Sequence, residues 1–251
     1  MHFIQRLLLA AAATAIVAGP AIAQESDADK TWTEIRIGTE GAYAPYNFIN
    51  DAGKLDGYEI ALGQEMCKRA SLTCEFVQND WDTIMANLNS GNYDIVMAGM
   101  SITPERRKDR LFTVSYVPPS TSLYVAASDK VDVKTGIVAA QVSTIQASHV
   151  AETGAKLVEF ATPEETVAAV RNGEADAVLA DYEYLAPVVA ESNGDLVIVD
   201  RVQLGEGVGG ALRMSDTALR DKFDAVLNEM KKDGSMNALL TKWFGPEQTL
   251  F

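Results

Sequence analysis

Apolar positions along this chain fall into two alternating kinds of block. Short, nearly continuous apolar runs at 33–38, 74–78, 93–99, 137–141, 157–160, 175–180 and 196–199 read as buried strands. Between them, apolar residues recur every three or four positions, as a helix with one buried face requires. Segment 58–70 is the clearest, with Ile60, Leu62, Met66 and Cys67 on one side; 81–90, 144–152, 182–190, 217–232 and 236–244 follow. Thr103-Pro104-Glu105 opens a short helix, and Thr162-Pro163-Glu164-Glu165 is a capping box heading a helix to Asn172. Strand and helix in strict alternation predict parallel sheets covered by helices, an α/β fold.

One pattern occurs twice. Leu88-Asn89-Ser90-Gly91-Asn92-Tyr93-Asp94-Ile95-Val96-Met97-Ala98 is echoed by Val170-Arg171-Asn172-Gly173-Glu174-Ala175-Asp176-Ala177-Val178-Leu179-Ala180. Each copy reads as a helix end, a left-handed Gly cap, an Asp and a buried parallel strand. Just beyond the strands stand Ser101 and Asp181. Ligands of open α/β sheets bind outside the carboxyl ends of strands, so two such ends predict a cleft between two similar lobes. The rhythm breaks at Val117-Pro118-Pro119 and at Gly205-Glu206-Gly207-Val208-Gly209-Gly210. Two breaks imply two crossings, hence two Rossmann-like lobes joined by a two-segment hinge. Lobe 1 is then discontinuous, 24–118 plus 207–251, and lobe 2 is 119–206.

The ends and the charge narrow the class. Arg6, the apolar stretch Leu7 to Gly19 and Ala21-Ile22-Ala23 form an export signal over 1–23, with the cut expected after Ala23. No Cys stands directly after the cut, Cys67 being the first in the chain, which argues against a lipid anchor, and no later segment reads as a membrane span. Losing the signal removes Arg6 and no acid, so the net charge moves from −14 to about −15. That balance argues against nucleic acid and anionic membranes as partners. The two cysteines, Cys67 and Cys74, sit at a helix end and a strand start. In an oxidising compartment they form a local disulfide or remain two separate buried thiols; a bridge over so short a loop is worth roughly 2–3 kcal/mol in the chain-entropy account. A zinc site is not expected, because His149 is the only histidine after processing.

Several motifs together carry a resemblance. Ile37-Gly38-Thr39-Glu40-Gly41-Ala42-Tyr43-Ala44-Pro45-Tyr46-Asn47-Phe48, Leu55-Asp56-Gly57-Tyr58-Glu59-Ile60-Ala61-Leu62, Trp81-Asp82-Thr83-Ile84, Ser101-Ile102-Thr103-Pro104-Glu105-Arg106 and Phe112-Thr113 resemble periplasmic amino-acid-binding proteins of ATP-driven importers. Met230-Lys231-Lys232-Asp233-Gly234 and Lys242-Trp243-Phe244-Gly245 are similar to that family's closing helices. The likeness spans 33–246, and the cysteine spacing resembles the branch that takes up basic amino acids.

The resemblance implies a type II periplasmic binding protein fold, a periplasmic location, an inner-membrane permease as partner, no cofactor and a monomer. It also gives roles to residues. Arg106 would hold the ligand α-carboxylate as a fork; Ser101 and the Gly99 carbonyl would meet the α-amino end, with Asp181 as its anion. Gly99 stands where the family often has Ser. Ser143 and Thr144, heading a helix, would add a second carboxylate contact, although the family more often reads Gly-Thr-Thr there. Tyr43 and Trp81 would sandwich the side chain, and Glu40 would take a cationic head group. No Ser/His pair, metal cluster or phosphate loop supports catalysis. Two alternatives remain: a dehydratase-like enzyme on the same fold, which needs a cleft acid such as Glu183, and a sensor module, which would normally continue into a membrane span.

Overall fold

A computed structural model describes residues 32–251; the export signal expected over 1–23 lies outside them. Two five-stranded sheets form the frame. In the first, β1 (Glu34–Thr39) lies parallel to β5 (Thr73–Gln78) on one side and β6 (Ile95–Val96) on the other. β13 (Ala211–Leu212) runs antiparallel between β6 and β7 (Leu111–Phe112). In the second, β9 (Ile137–Gln141) lies parallel to β10 (Lys156–Phe160) and β11 (Ala177–Asp181). β8 (Thr121–Ala126) runs antiparallel between β11 and β12 (Val197–Gln203). The sheet orders are β5-β1-β6-β13-β7 and β10-β9-β11-β8-β12. In each sheet the antiparallel strand is the one entered directly from a crossing, after 117–119 for β8 and after 205–210 for β13.

The doubled motif has the same bonding in both copies. Gly91 and Gly173 adopt φ of 78° and 76°, a left-handed turn that costs a side-chain-bearing residue but not glycine. Their N–H groups donate to Leu88 and Val170, and the next residues reach back to Asn87 and Ala169, closing each helix. Asp94 and Asp176 then tie that helix to the central strand. Asp94 N–H donates to the Arg36 carbonyl while its carboxylate accepts from Arg36 N–H at 2.9 Å. Asp176 makes the same reciprocal pair with Ile137, at 2.7 Å.

The crossings lie side by side. Tyr116 N–H donates to the Val208 carbonyl, Val208 N–H returns to Val117, and Ile102 N–H donates to Gly207. Three further helices complete the first unit: α1 (Tyr58–Arg69), α6 (Thr217–Lys232) and α7 (Ser235–Phe244). Leu62, Met66, Phe223, Leu227, Met230 and Leu240 are buried where these pack together. Arg69 fastens them from outside, pairing with Glu65, Glu229 and Asp233. Cys67 and Cys74 form a disulfide that joins the end of α1 to β5, with Cα atoms 6.1 Å apart.

Some local expectations are revised. The 81–90 helix is a 3-10 turn (Trp81–Thr83) leading into α2 (Ile84–Asn89), and β6 is shorter than the apolar run around it. The segment after Pro104 forms only a 3-10 turn, Arg106–Lys108, whose first N–H donates to the Thr103 hydroxyl at 3.1 Å.

Candidate functional site

Eight chain segments meet at one cavity. Glu40 follows β1, and Tyr43 sits in a small antiparallel sheet of β2 (Ala42–Tyr43), β3 (Asn47–Ile49) and β4 (Leu55–Asp56). Trp81 opens its 3-10 turn; Ala98, Gly99 and Ser101 follow β6; Arg106 opens the next 3-10 turn. From the second sheet come Gln141 at the end of β9, Thr144 to Gln146 at the head of α3 (Ile145–Ala151), and Asp181 at the end of β11. These residues line one narrow cavity. Eight of the nine expected contacts, Glu40, Tyr43, Trp81, Gly99, Ser101, Arg106, Thr144 and Asp181, line it. Ser143, with φ 59°, turns instead to an outer groove beside Arg106 and His149.

A buried carboxylate organises the first wall. Glu59 on α1 is fully buried and accepts from Gly99 N–H at 2.8 and 2.9 Å, from the Asn47 amide at 2.7 Å and from the Tyr116 hydroxyl. Asn47 in turn accepts from Gly41 N–H at 2.7 Å. One side chain thus links the Tyr43 sheet, the strand end at Gly99 and the first crossing. Gly99 has φ 63°, and an added Cβ would stand 3.0 Å from the Tyr43 ring. A side chain here would be strained and would displace Tyr43, which accounts for glycine at this place.

Arg106 donates to the Ser101 carbonyl at 2.9 Å and, across the cleft, to the Ser143 carbonyl at 3.3 Å; its guanidinium lies 5.8 Å from the Trp81 ring centre. Burial and the neighbouring Arg110 cation pull it down to about 10, so it remains charged at neutral pH. Asp181 stands at the N-cap of α5 (Tyr182–Glu191), yet its carboxylate makes no cap bond. It accepts from the Tyr43 hydroxyl at 2.9 Å, the Gln146 amide at 2.7 Å and the Ser122 hydroxyl at 3.4 Å. Burial raises its pKa against these bonds and the Arg106 charge. Glu40, 6% exposed, accepts from the Gln141 amide at 2.6 Å. Burial pushes it up to about 7; the Gln141 bond opposes this, and the Asp80 and Glu59 charges add to it.

Two expectations change in detail. The ring contacts of Tyr43 are to Tyr46 and Tyr184, at 5.7 and 4.7 Å between centroids, in a run of three nearly parallel rings. Tyr43 therefore meets the cavity with its hydroxyl end rather than as one face of a sandwich with Trp81. The Thr144 hydroxyl caps α3 through Ala147 N–H at 3.1 Å and donates to the Gln141 carbonyl at 2.7 Å, so its hydrogen is committed to the turn. Gln141, Gln146 and Glu59 were not anticipated as parts of the site. Topology offered a signal for Gln141, which ends β9 as Asp181 ends β11. Among the described residues no three His, Cys, Asp or Glu side chains gather as metal ligands.

Arg106, Asp181 and Glu40 put one guanidinium and two carboxyl groups on the cavity wall. Residues 35–246 match the bacterial extracellular solute-binding proteins, family 3. A solved structure, a periplasmic His/Glu/Gln/Arg/opine family-binding protein from Silicibacter pomeroyi in complex with lysine, is 62% identical with a TM-score of 0.85, covering 86% of this chain and 100% of that one. A histidine-binding periplasmic protein of Salmonella typhimurium is 30% identical over 84% of this chain and 87% of its own. An octopine-binding periplasmic protein of Rhizobium meliloti is 29% identical over 95% and 97%. An α/β chain of this kind, with paired crossings and a charged cleft between its sheets, belongs to the bacterial extracellular solute-binding proteins, family 3.

Proposed function

We propose that the protein is the exported capture component of an ATP-driven amino-acid importer and that its cargo is an L-α-amino acid with a cationic side chain. The lobes are 24–118 with 207–251 and 119–206, and they close about the paired crossings. The ligand α-carboxylate sits on Arg106, its α-ammonium on Asp181, its apolar stem along Trp81, and its head group at Glu40 and Gln141. The observation that carries the reading is charge. Glu40 is desolvated, flanked by Asp80 and Glu59, and raised to about 7; a buried acid so placed gains most from a cation. The lysine held by the Silicibacter relative supports the same class. Delivery to a membrane permease follows from the family.

Closure is tested by small-angle scattering. Bonds from Tyr43 to Asp181, Gln141 to Glu40 and Arg106 to Ser143 each cross the cleft, so they hold only when the lobes meet. Saturating lysine should reduce the radius of gyration. An unchanged scattering curve in a sample that binds lysine by calorimetry would reject hinge closure as the mode of capture.

A further inference from the structure

The cleft continues behind Asp181. A second narrow cavity is lined by Tyr46, Ser101, Ser122, Asp181 and Glu183 together with the crossing at Gly205 and Gly207. Ser101 and Asp181 belong to both cavities, so this chamber lies between the ammonium end of the cleft and the hinge. Glu183 stands two residues after Asp181 in the first turn of α5, is only 4% exposed, and its Oε2 has no hydrogen-bond partner. An ionised oxygen left so is strongly disfavoured unless a positive charge or a proton satisfies it.

The groups around Glu183 decide between those two. Asp181 faces it from the end of β11, and Tyr46 from the turn between β2 and β3. On its outer side, Arg201 of β12 and Glu247 near the C-terminus line a groove with it; both are exposed and of opposite sign. The net influence is negative, from Asp181. Burial and then the Asp181 charge raise Glu183 to about 6, against hydrogen bonds from Ser120, its own backbone N–H and Tyr46. Asp181 receives three side-chain hydrogen bonds and, unlike Glu183, the field of Arg106. Of the two carboxyls only Glu183 keeps an oxygen without a hydrogen-bond partner among the described residues, and only Asp181 feels a neighbouring cation, so the pair's proton is assigned to that oxygen.

We propose that Glu183 is a positioning residue of the ammonium end, the second carboxyl of a hinge-side pair that ionises fully only when a ligand ammonium reaches Asp181. The proton leaves the Glu183 carboxyl for the solvent, and the ammonium takes over the charge balance of the pair. Capture of the ligand is therefore linked to proton release. The inference rests on Asp181 as the ammonium partner and adds to it a role for Glu183 that acts through Asp181.

The sign follows from linkage. A carboxyl with a pKa near 6 while no ammonium meets Asp181, and a lower one once it does, makes affinity rise with pH through that range and level off above it. Calorimetry of lysine binding at pH 6, in two buffers of different ionisation enthalpy, counts the protons released. Glu40 is common to wild type and Glu183→Gln, so their difference isolates Glu183. Wild type should release about half a proton more than Glu183→Gln. Its affinity should also fall about tenfold more between pH 7 and pH 5, with Glu183→Asp restoring part of both effects. Equal release and parallel pH profiles in the two proteins would overturn the proposal. So would a wild type that shows no release, even if Glu183→Gln does not fold. A wild type that binds no amino acid at any pH would reject the functional reading itself, and this inference with it.

Discussion

Arg106→Ala should weaken binding of any L-α-amino acid by about 1.5–3 kcal/mol or more, roughly tenfold to over a hundredfold, while the protein stays folded. Among the described residues the guanidinium is the one cation lining the cavity, and its bonds go to the Ser101 and Ser143 carbonyls. Neither bond holds a sheet or a helix in place, so its removal leaves the core untouched. A bound carboxylate would exchange neutral acceptors for an anion, and charge-assisted forked pairs are the stronger kind. Arg106→Lys keeps the charge but not the fork, and should recover only part of the loss. Calorimetric titration against a panel of amino acids checks this. Unchanged affinity in Arg106→Ala, with an unchanged melting curve, would remove Arg106 from the site.

Glu40→Gln should act selectively. Affinity for lysine or arginine should fall at least about tenfold, while affinity for glutamine changes little. The substitution preserves shape and leaves Arg106 and Asp181 in place, so only the head-group pair is altered. An exposed pair would be worth about 1 kcal/mol or less, but Glu40 is 6% exposed and already held by Gln141 at 2.6 Å. Its carboxyl, raised to about 7, is partly protonated at neutral pH while no cation meets it. A cationic head group would return it to the charged form, which makes the pair stronger than a surface bridge. Equal losses for lysine and glutamine would show Glu40 to be a structural acid.

What the sequence disclosed, and what it did not, follows from where the physics is local. The glycine caps at Gly91 and Gly173 and the capping box at Thr162 are set by a few neighbouring residues, and they were readable. So was the second crossing, where glycines permit a backbone pairing that side chains would block: a Cβ at Gly207 would stand 2.6 Å from the Val117 carbonyl. β8 was not anticipated. It follows Pro118-Pro119 and is buried almost throughout, so it lacks both alternation and a helix before it. β2, β3 and β4 are too short for any periodicity to register. In the site, charged residues could be picked out because burying a charge needs a reason, whereas the amides of Gln141 and Gln146 carry no such mark. Glu59 stood inside a quoted motif, but its three partners lie on other elements, up to Tyr116 in the crossing. Its work in shaping the wall around Gly99 therefore emerges only in three dimensions.

The central claim, a cationic amino acid held in the cleft, is tested most directly by the ligand preference of the wild-type protein. Thermal unfolding should be followed with each of the twenty amino acids, ornithine, citrulline and octopine at a fixed excess. A ligand at a thousand times its Kd adds about 4 kcal/mol of stability, which for a domain of this size raises Tm by roughly 8–16 °C. Lysine, arginine and ornithine should give the largest shifts, glutamine and citrulline smaller ones, and glutamate none. A largest shift from glutamate or another acidic ligand, or no shift from any basic amino acid, would contradict the account.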